Sequence, residues 1–212
     1  MSVFDSEVYA ESRKSRLRNL FEHVRPESLK GKRVFELGCG TGELGEEFVK
    51  LGCHVTSVDA RLEHIEELRR RFPDRAAEVV NLDAENCLVF GSMDIVVCFG
   101  LLYHLSEPAR FLACCCELAP VLYLETVVLD SDFPECPRVA ESGSDQSFVE
   151  QGTRPSVSWL LAALVRAGYS HMDDISGASA NWATAQFDWT RKNDRQWIRD
   201  GKTLRRMIIC SV

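Results

Sequence analysis

The sequence lacks several features that mark particular classes of protein. It has no run of about 18 apolar residues, so it offers no segment for a predicted transmembrane helix. Residues 1–16 are charged and lack the apolar core of a signal peptide, and we therefore expect a cytoplasmic protein. Nine cysteines are present, an odd number without any CxxC pair, and three of them stand together at 114–116. This pattern predicts buried free thiols rather than a disulfide framework or a metal site.

The charge balance argues against some partners. The formal net charge is −7 at pH 7, which disfavours broad adhesion to nucleic acid or to acidic membranes. The segment 191–206 carries several Arg and Lys residues among acids and Trp197. It predicts a solvated loop of mixed charge, with a local basic groove as the alternative. With 212 residues, of which 45% are hydrophobic, residues 1–212 are expected to form one globular domain.

Segments typical of strands and of helices alternate along most of the chain. Strands are predicted at 33–37, 54–58, 78–82, 94–99 and 121–129, and helices at 43–51, 62–72, 109–118 and 156–167. Two more strands are predicted near 171–175 and 206–212. This alternation implies right-handed crossovers and a doubly wound, mostly parallel α/β sheet. Such a sheet binds its ligand at the carboxyl ends of its strands.

Two segments lie outside this alternation. Residues 1–30 are predicted to form an N-terminal helical extension, because apolar positions recur among charges between residues 5 and 24. Residues 130–155 are rich in acids and prolines and show little periodicity. They predict either a lid-like loop or a disordered insert.

A glycine-rich loop follows the first predicted strand, at Gly38, Gly40 and Gly42. Glycines permit a tight turn from strand to helix and let backbone N–H groups approach a ligand closely. Asp59 ends the next predicted strand, where a carboxylate can accept hydrogen bonds from both hydroxyls of a ribose. The loop and this acid together predict a nucleoside-containing cofactor.

The glycine loop alone is compatible with two cofactors. Gly40, Gly42 and Gly45 match the GxGxxG pattern of dinucleotide-binding oxidoreductases. Against this, a carboxylate at Glu36 would repel a pyrophosphate and would suit a ligand with an ammonium group. Asp83 is predicted to end the third strand, where its carboxylate can accept from an adenine amine. The two C-terminal strands also fit a seven-stranded sheet with a reversed last strand.

With these features the chain resembles class I S-adenosylmethionine-dependent methyltransferases. The resemblance rests on residues 36–42, Asp59, 83–84 and 99–105, and it covers residues 30–130 best. It implies a Rossmann-like fold, S-adenosyl-L-methionine as the cofactor and S-adenosyl-L-homocysteine as the product. It also implies that the cofactor is bound by Glu36, Gly38, Cys39, Gly40, Gly42, Asp59, Ala60, Asp83, Ala84 and Phe99.

The residues after the fourth strand bear on the methyl acceptor. Nucleic-acid amino-methyltransferases of this fold usually carry an Asp/Asn-Pro-Pro-aromatic motif there, and cytosine-C5 enzymes use a Pro-Cys. This chain has Phe-Gly-Leu-Leu at 99–102, which favours a small-molecule acceptor, with no membrane partner. The alternatives are an RNA (tRNA) methyltransferase, an NAD(P)-binding oxidoreductase and a non-catalytic binding module.

Several side chains are candidates for chemistry and acceptor binding. His104 follows the fourth strand, and a neutral imidazole there suits proton abstraction, although capping of the next helix would also explain it. Glu125, inside the apolar fifth strand, needs a partner and is expected either to orient His104, to bind substrate or to satisfy backbone donors. Tyr103, Trp182 and Trp189 are candidates for an acceptor wall, or for core packing. In-line methyl transfer requires no metal, and no metal ligands are predicted.

Overall fold

A computed structural model describes residues 3–80, 90–143 and 146–212 of the chain. The strands are β1 (Arg33–Leu37), β2 (His54–Asp59), β3 (Ala76–Val79), β4 (Ile95–Phe99), β5 (Val121–Val127), β6 (Arg138–Ala140), β7 (Gln151–Thr153), β8 (His171–Asp174), β9 (Ala185–Gln186), β10 (Ile198–Arg199) and β11 (Lys202–Ser211). The α-helices are α1 (Glu7–His23), α2 (Glu43–Lys50), α3 (Leu62–Arg71), α4 (Pro108–Leu118) and α5 (Val157–Ala167). Strands and helices therefore alternate as the sequence predicts.

Seven of these strands form the body of the sheet, in the order β3-β2-β1-β4-β5-β11-β8. Neighbouring strands from β3 to β5 run parallel. The strand β11 is antiparallel both to β5 and to β8, and β9 and β10 add short pairings at its start. The predicted doubly wound, mostly parallel sheet with a reversed last strand is confirmed.

The helices cover both faces of the sheet, which explains the strongly apolar strands. One buried cluster joins α4 and α5 to the sheet, and a second joins α1 and α2 to it. The helix α5 begins where the Ser156 hydroxyl accepts from the Trp159 N–H, and it ends at Gly168, whose φ is 114°. None of the described helices is both long and apolar enough to cross a membrane.

The structure differs from the sequence-based expectations in several places, and the segment 191–206, expected as a loop, contains β10 and the start of β11. The third strand covers Ala76–Val79 instead of 78–82, and the predicted ligands Asp83 and Ala84 lie outside the described residues. The segment 130–155 contains an antiparallel hairpin of β6 and β7, strands of three residues each that are too short to show a period. Cys114 is disulfide-bonded, which the expectation of free thiols missed.

Candidate active site

A cavity of about 390 Å³ opens at the carboxyl ends of β1, β2 and β4. The predicted site residues that line it are Glu36, Gly38, Cys39, Gly40, Asp59, Ala60, Phe99, Tyr103, His104 and Trp182. Lining residues that the sequence did not single out as site residues include Phe4, Arg16, Arg61, Leu101, Phe148 and Arg205. Within the described ranges, Gly42, Glu125 and Trp189 are not part of this lining.

The glycine loop forms one wall of the cavity. Gly38, Gly40 and Gly42 have φ values of 69°, 52° and 89°, a conformation that side chains other than glycine rarely adopt. The N–H groups of Gly38 and Cys39 donate to the carbonyl of Val58, which ties the loop to β2. A Cβ atom on Gly38 would lie 3.0 Å from the Leu101 side chain, so the loop and the end of β4 approach each other closely.

The Asp59 carboxylate, at the end of β2, lines the cavity beside the glycine loop. It accepts from the Gly40 N–H at 2.9 Å and from the Arg61 N–H at 3.0 Å, and its Oδ1 lies 3.0 Å from His64 Nδ1. A carboxylate offers about four lone-pair positions, and these three contacts leave one of them for a ligand. The predicted ribose acceptor is therefore fixed in place by the loop and by the start of α3.

The carboxylate of Glu36 points into the protein, where three partners hold it. It accepts from the Gly45 N–H at 2.7 Å and from the Ser57 hydroxyl at 2.6 Å, and it pairs with Arg75 at 3.2 Å. Burial raises the pKa of its carboxyl, and Arg75 offsets only part of that effect. A Cβ atom on Gly45 would overlap Glu36 and Arg75. The third glycine of the GxGxxG pattern is thus explained by packing, without a pyrophosphate.

His104 lies in a 3₁₀ turn (Leu102–His104) after β4 and also lines the cavity. Its Nδ1 is 2.5 Å from Oε2 of Glu141, which directly follows β6. The other oxygen of Glu141 accepts from Arg154 at 2.7 Å, and the Ser147 N–H donates to Oε2 at 3.1 Å. A carboxylate can only accept, so Nδ1 of His104 is the donor in this contact, and in a neutral imidazole Nε2 is then the nitrogen without a proton.

The charge on Glu141 supports this tautomer of His104. Burial alone would raise the pKa of Glu141, but its hydrogen bond with His104 and its ion pair with Arg154 outweigh burial and lower it. The carboxylate therefore stays ionised at neutral pH. Glu141 was missed in the sequence because its segment shows no period and lies 37 residues from His104. No local signal connects the two.

Glu125, which was considered as the partner of His104, pairs instead with two arginines. Its Oε2 lies 2.6 Å from Nη2 of Arg16 on α1, and its Oε1 accepts from Nη1 of Arg205 on β11 at 2.7 Å. Arg205 also donates to the hydroxyl of Tyr103 at 3.2 Å, and both guanidinium groups face the ring of Trp182. Burial works to raise the pKa of Glu125, but Arg16 and Arg205 lower it, so Glu125 is an anion.

A signal for this pairing does exist in the sequence. Glu125 and Arg205 are opposite charges inside apolar strands, and a buried charge requires a partner.

Trp189 lies in the core beneath Arg206, whose guanidinium is 4.0 Å from the ring centroid. Across the described residues, no group of three or more His, Cys, Asp or Glu side chains is arranged to hold a metal ion.

A family model described as a methyltransferase domain matches residues 9–201, almost the whole chain. The chain belongs to this methyltransferase family. The prediction of a class I S-adenosylmethionine-dependent methyltransferase is thereby confirmed, and with it S-adenosylmethionine as the cofactor.

Two relatives carry the name ubiquinone biosynthesis O-methyltransferase. The protein of Xanthomonas campestris is 30% identical over 167 residues, which cover 71% of this chain and 67% of that protein. The protein of Aromatoleum aromaticum is 35% identical over 102 residues, which cover 44% of this chain and 42% of that protein. The chain thus matches less than half of the length of the Aromatoleum protein.

Solved methyltransferase structures share the fold. The N-terminal domain of EvdMO1 with SAH bound has a TM-score of 0.74 at 17% identity, covering 98% of this chain and 85% of that one. Magnesium protoporphyrin IX methyltransferase from Synechocystis PCC 6803 with bound SAM has a TM-score of 0.62 at 13% identity, covering 100% of this chain and 84% of that one. At these identities the likeness extends to the fold alone.

Proposed function

We propose that this methyltransferase transfers the methyl group of S-adenosylmethionine to a hydroxyl oxygen of a small molecule, with His104 as the base. The observation that carries the proposal is the hydrogen bond between His104 and Glu141 at the wall of the cavity that also contains the glycine loop. An O-methyl product is also what the names of the two relatives describe.

The cofactor end of the cavity, made by Gly38, Gly40 and Asp59, fits S-adenosylmethionine. The glycines let Leu101 and Phe4 pack against the loop, and Asp59 keeps one acceptor position for a ribose hydroxyl. Glu36, Cys39, Ala60 and Phe99 line the same end. Gly42 gives the loop its turn, and any contact of Asp83 or Ala84 with adenine stays a prediction.

The acceptor end of the cavity is made by His104, Tyr103, Trp182 and Arg205. When bound, the cofactor supplies an electrophilic methyl group on a sulfonium with a neutral leaving group. Nε2 of His104 takes the proton of the acceptor hydroxyl as its oxygen attacks, and Glu141 stabilises the resulting imidazolium. Arg154 holds Glu141 in place. Among these residues only His104 moves a proton, and Glu141 and Arg154 position it.

The described parts of the β6–β7 hairpin, residues 138–143 and 146–153, act in this proposal as the lid of the site. The hairpin supplies Glu141 to His104, and Gly152 lets it pack close to the Tyr103 carbonyl. At its tip, Arg61 donates to the carbonyls of Gly143 and Gln146, each at 3.3 Å. The hairpin thus spans the cavity from the cofactor end to the acceptor end, which is the position that a lid requires.

The basic tail gives no support to an RNA acceptor. Its arginines pair with acids of the chain: Arg191 with Asp132, Arg195 with Glu135, and Arg199 with Asp130 and Asp194. Paired guanidinium groups offer little charge to a phosphate backbone. We therefore retain the small-molecule acceptor as part of the proposal. A cytoplasmic location, expected from the N-terminal sequence, is a separate part of it.

The test of the proposal is His104→Gln, assayed by SAH release with catechols and sugars as acceptors. We expect kcat to fall by about 10²–10⁴, the contribution of a general base, with an unchanged Kd for SAH. His171→Gln is the matched control, because His171 is exposed on β8. A His104→Gln variant that keeps more than half of the wild-type kcat would contradict the role of the base, and binding of NADH instead of SAH would contradict the cofactor.

A further inference from the structure

His64, on the first turn of α3, lines the cavity beside Asp59 and has no role in the transfer of the methyl group. We propose that Nε2 of His64 accepts a hydrogen bond from one ribose hydroxyl of the cofactor, while Asp59 accepts from the other. This inference rests on the proposed function, in which Asp59 accepts from the ribose. It adds a second acceptor, which lets the protein reject analogues that lack a ribose hydroxyl.

Asp59 has one acceptor position left, whereas a ribose presents two hydroxyls. The Arg61 N–H and Nδ1 of His64 both contact Oδ1 of Asp59, each at 3.0 Å, and the Gly40 N–H donates to Oδ2 at 2.9 Å. Each carboxylate oxygen has two lone pairs, so Oδ1 is saturated and Oδ2 keeps one position. One hydroxyl can donate there. The other needs a different acceptor, because a hydroxyl removed from water without a hydrogen bond is costly.

The contact with Asp59 leaves the second nitrogen of His64 as an acceptor. A carboxylate only accepts, so Nδ1 is the donor, and in a neutral imidazole the lone pair is then on Nε2. Nε2 has no hydrogen-bond partner among the described residues, and it is not one of their completely buried polar atoms that lack a partner. It therefore keeps accessible surface, on a side chain that is 12% exposed and lines the cavity. The lone pair is available to a ligand.

The imidazole of His64 is held in this orientation from two sides. Nδ1 is bound to Asp59, and the ring of Phe4 meets the imidazole edge to face, with centroids 5.0 Å apart and an angle of 88° between the planes. Phe4 is itself fixed by the glycine loop, since a Cβ atom on Gly40 would lie 2.9 Å from its ring. The lone pair of Nε2 thus has a set direction, and a preorganised acceptor loses little entropy when a ligand binds.

The two acceptors are neighbours, as the two hydroxyls of a ribose are. Oδ1 of Asp59 touches Nδ1 of His64, so the free position on Oδ2 and the lone pair of Nε2 lie on either side of one contact. The 2′- and 3′-hydroxyls are carried by adjacent carbons of the sugar, and each can donate to one of these acceptors. A site that hydrogen-bonds a hydroxyl rejects the analogue without it, because its own polar group is left unpaired.

The experiment measures the preference for a complete ribose. Isothermal titration calorimetry gives the Kd values of SAH, 2′-deoxy-SAH and 3′-deoxy-SAH for the wild type and for His64→Asn. The asparagine amide keeps a donor beside Asp59 but has no atom at the position of Nε2. We expect the wild type to prefer SAH about tenfold over each analogue. In His64→Asn the preference over one analogue should fall below twofold, and the preference over the other, which Asp59 binds, should remain.

Three further variants complete the test. His54→Asn is the matched control, because His54 is exposed at the other end of β2 and does not belong to the described lining of this cavity, and it should keep both preferences. His64→Gln carries its amide oxygen farther from the backbone, toward the position of Nε2, and should keep part of the preference that His64→Asn loses. If His64→Asn does not fold, His64→Phe retains a ring against Phe4 without an acceptor and should lose the same preference.

Other outcomes would overturn the inference. If His64→Asn keeps both preferences, His64 does not accept from the ribose. If it weakens SAH and both analogues by the same factor, His64 acts only by holding Asp59 in place. A wild type that binds SAH without any preference for a complete ribose would remove the ribose from both residues and leave the methyltransferase proposal intact. Failure of the wild type to bind SAH would overturn the proposed function itself.

Discussion

At the cofactor end of the cavity the contacts of Asp59 with the glycine loop stay within one βαβ unit, whereas at the acceptor end the ion pairs join elements that are far apart in the sequence. Asp59 accepts from Gly40, which is 19 residues away, and Glu36 accepts from Ser57, which is 21 residues away. At the other end, Arg205 reaches Glu125 across 80 residues. The first end is one βαβ unit, in which glycines and backbone N–H groups make the contacts. The second end is assembled from side chains of α1, the 3₁₀ turn Leu102–His104, β5 and β11.

This difference implies that substitutions at the two ends of the cavity affect different properties of the protein. Asp59 accepts from backbone N–H groups of the loop and of Arg61 at the wall of the cavity, so removal of its carboxylate should change ligand affinity more than the stability of the fold. The contacts of the arginine cluster (Arg16, Arg205 and Glu125) are buried ion pairs, and removal of one partner leaves uncompensated charge inside the protein. A substitution there should change stability first.

Glu125→Leu should have the largest effect. It leaves Arg16 and Arg205 buried beside each other, and we expect the free energy of unfolding to fall by about 3–5 kcal/mol. Urea denaturation followed by circular dichroism measures it. Asp132→Asn is the matched control, because it removes a carboxylate from an exposed pair with Arg191 and should cost less than about 1 kcal/mol. If Glu125→Leu lowers the free energy of unfolding by less than about 1 kcal/mol, substitutions at the acceptor end do not change stability first, and the stated difference between the two ends is wrong.

The same pair predicts a pH dependence of stability. Although burial opposes it, Arg16 and Arg205 lower the pKa of Glu125 below its ordinary value of 4.5. The folded pKa is therefore below the unfolded one, and the stability that this group contributes is present above pH 4.5 and is lost as the pH falls through the folded pKa. The stability difference between wild type and Glu125→Leu should accordingly shrink below pH 4.5.

Asp59→Ala should have the second largest effect, on affinity. It removes an expected acceptor of the ribose and frees the N–H groups of Gly40 and Arg61, so the Kd for SAH should rise about 100-fold, or about 2.7 kcal/mol. Isothermal titration calorimetry measures this change. Asp173→Ala, at an exposed position on β8, should leave the Kd unchanged. An unfolded Asp59→Ala protein would show that the loop contributes to the fold as strongly as the arginine cluster does.

Much of the fold and of the cofactor end could be predicted from the sequence, because the relevant signals are local. The strand Arg33–Leu37 was predicted with its observed bounds, since a buried parallel strand is a short apolar run next to a turn. Gly38, Gly40 and Asp59 were recognised because the βαβ unit fixes their spacing. The hairpin of β6 and β7 was missed because three-residue strands carry no periodic pattern.

The acceptor end could be predicted only in part. The position of His104 after β4 predicts that it lies at the cavity, where the structure has it, but its partner is Glu141 and not Glu125, for which orienting His104 was one of the expected roles. Which carboxylate meets the imidazole depends on how a surface hairpin folds back over the sheet, and sequence spacing contains no information about that. Arg205 and Glu125 show only that each needs an opposite charge, because a buried charge is costly in either strand.

Glu141→Gln should have a smaller effect, on turnover alone. The amide no longer stabilises an imidazolium, and we expect kcat to fall about tenfold, or about 1.4 kcal/mol, without a change in the KM for S-adenosylmethionine. Steady-state kinetics with any accepted hydroxy compound measures both parameters. Glu150→Gln is the matched control, because Glu150 lies on the same hairpin with an exposed side chain. A raised KM with an unchanged kcat would make Glu141 a part of the binding site instead.

Arg61→Ala should have the smallest effect. It tests whether a change at the cofactor end of the cavity alters turnover at the acceptor end. The variant removes the hydrogen bonds to the carbonyls of Gly143 and Gln146 but keeps the Arg61 N–H on Asp59. We expect kcat to fall about threefold, or about 0.6 kcal/mol, because a looser hairpin presents Glu141 to His104 less often. Hydrogen exchange in residues 138–153 should become faster, whereas Arg138→Ala, which removes only an exposed ion pair with Glu107, should leave kcat unchanged. If Arg61→Ala lowers kcat as much as Glu141→Gln, the hairpin depends on the cofactor end, and the two ends act as one unit.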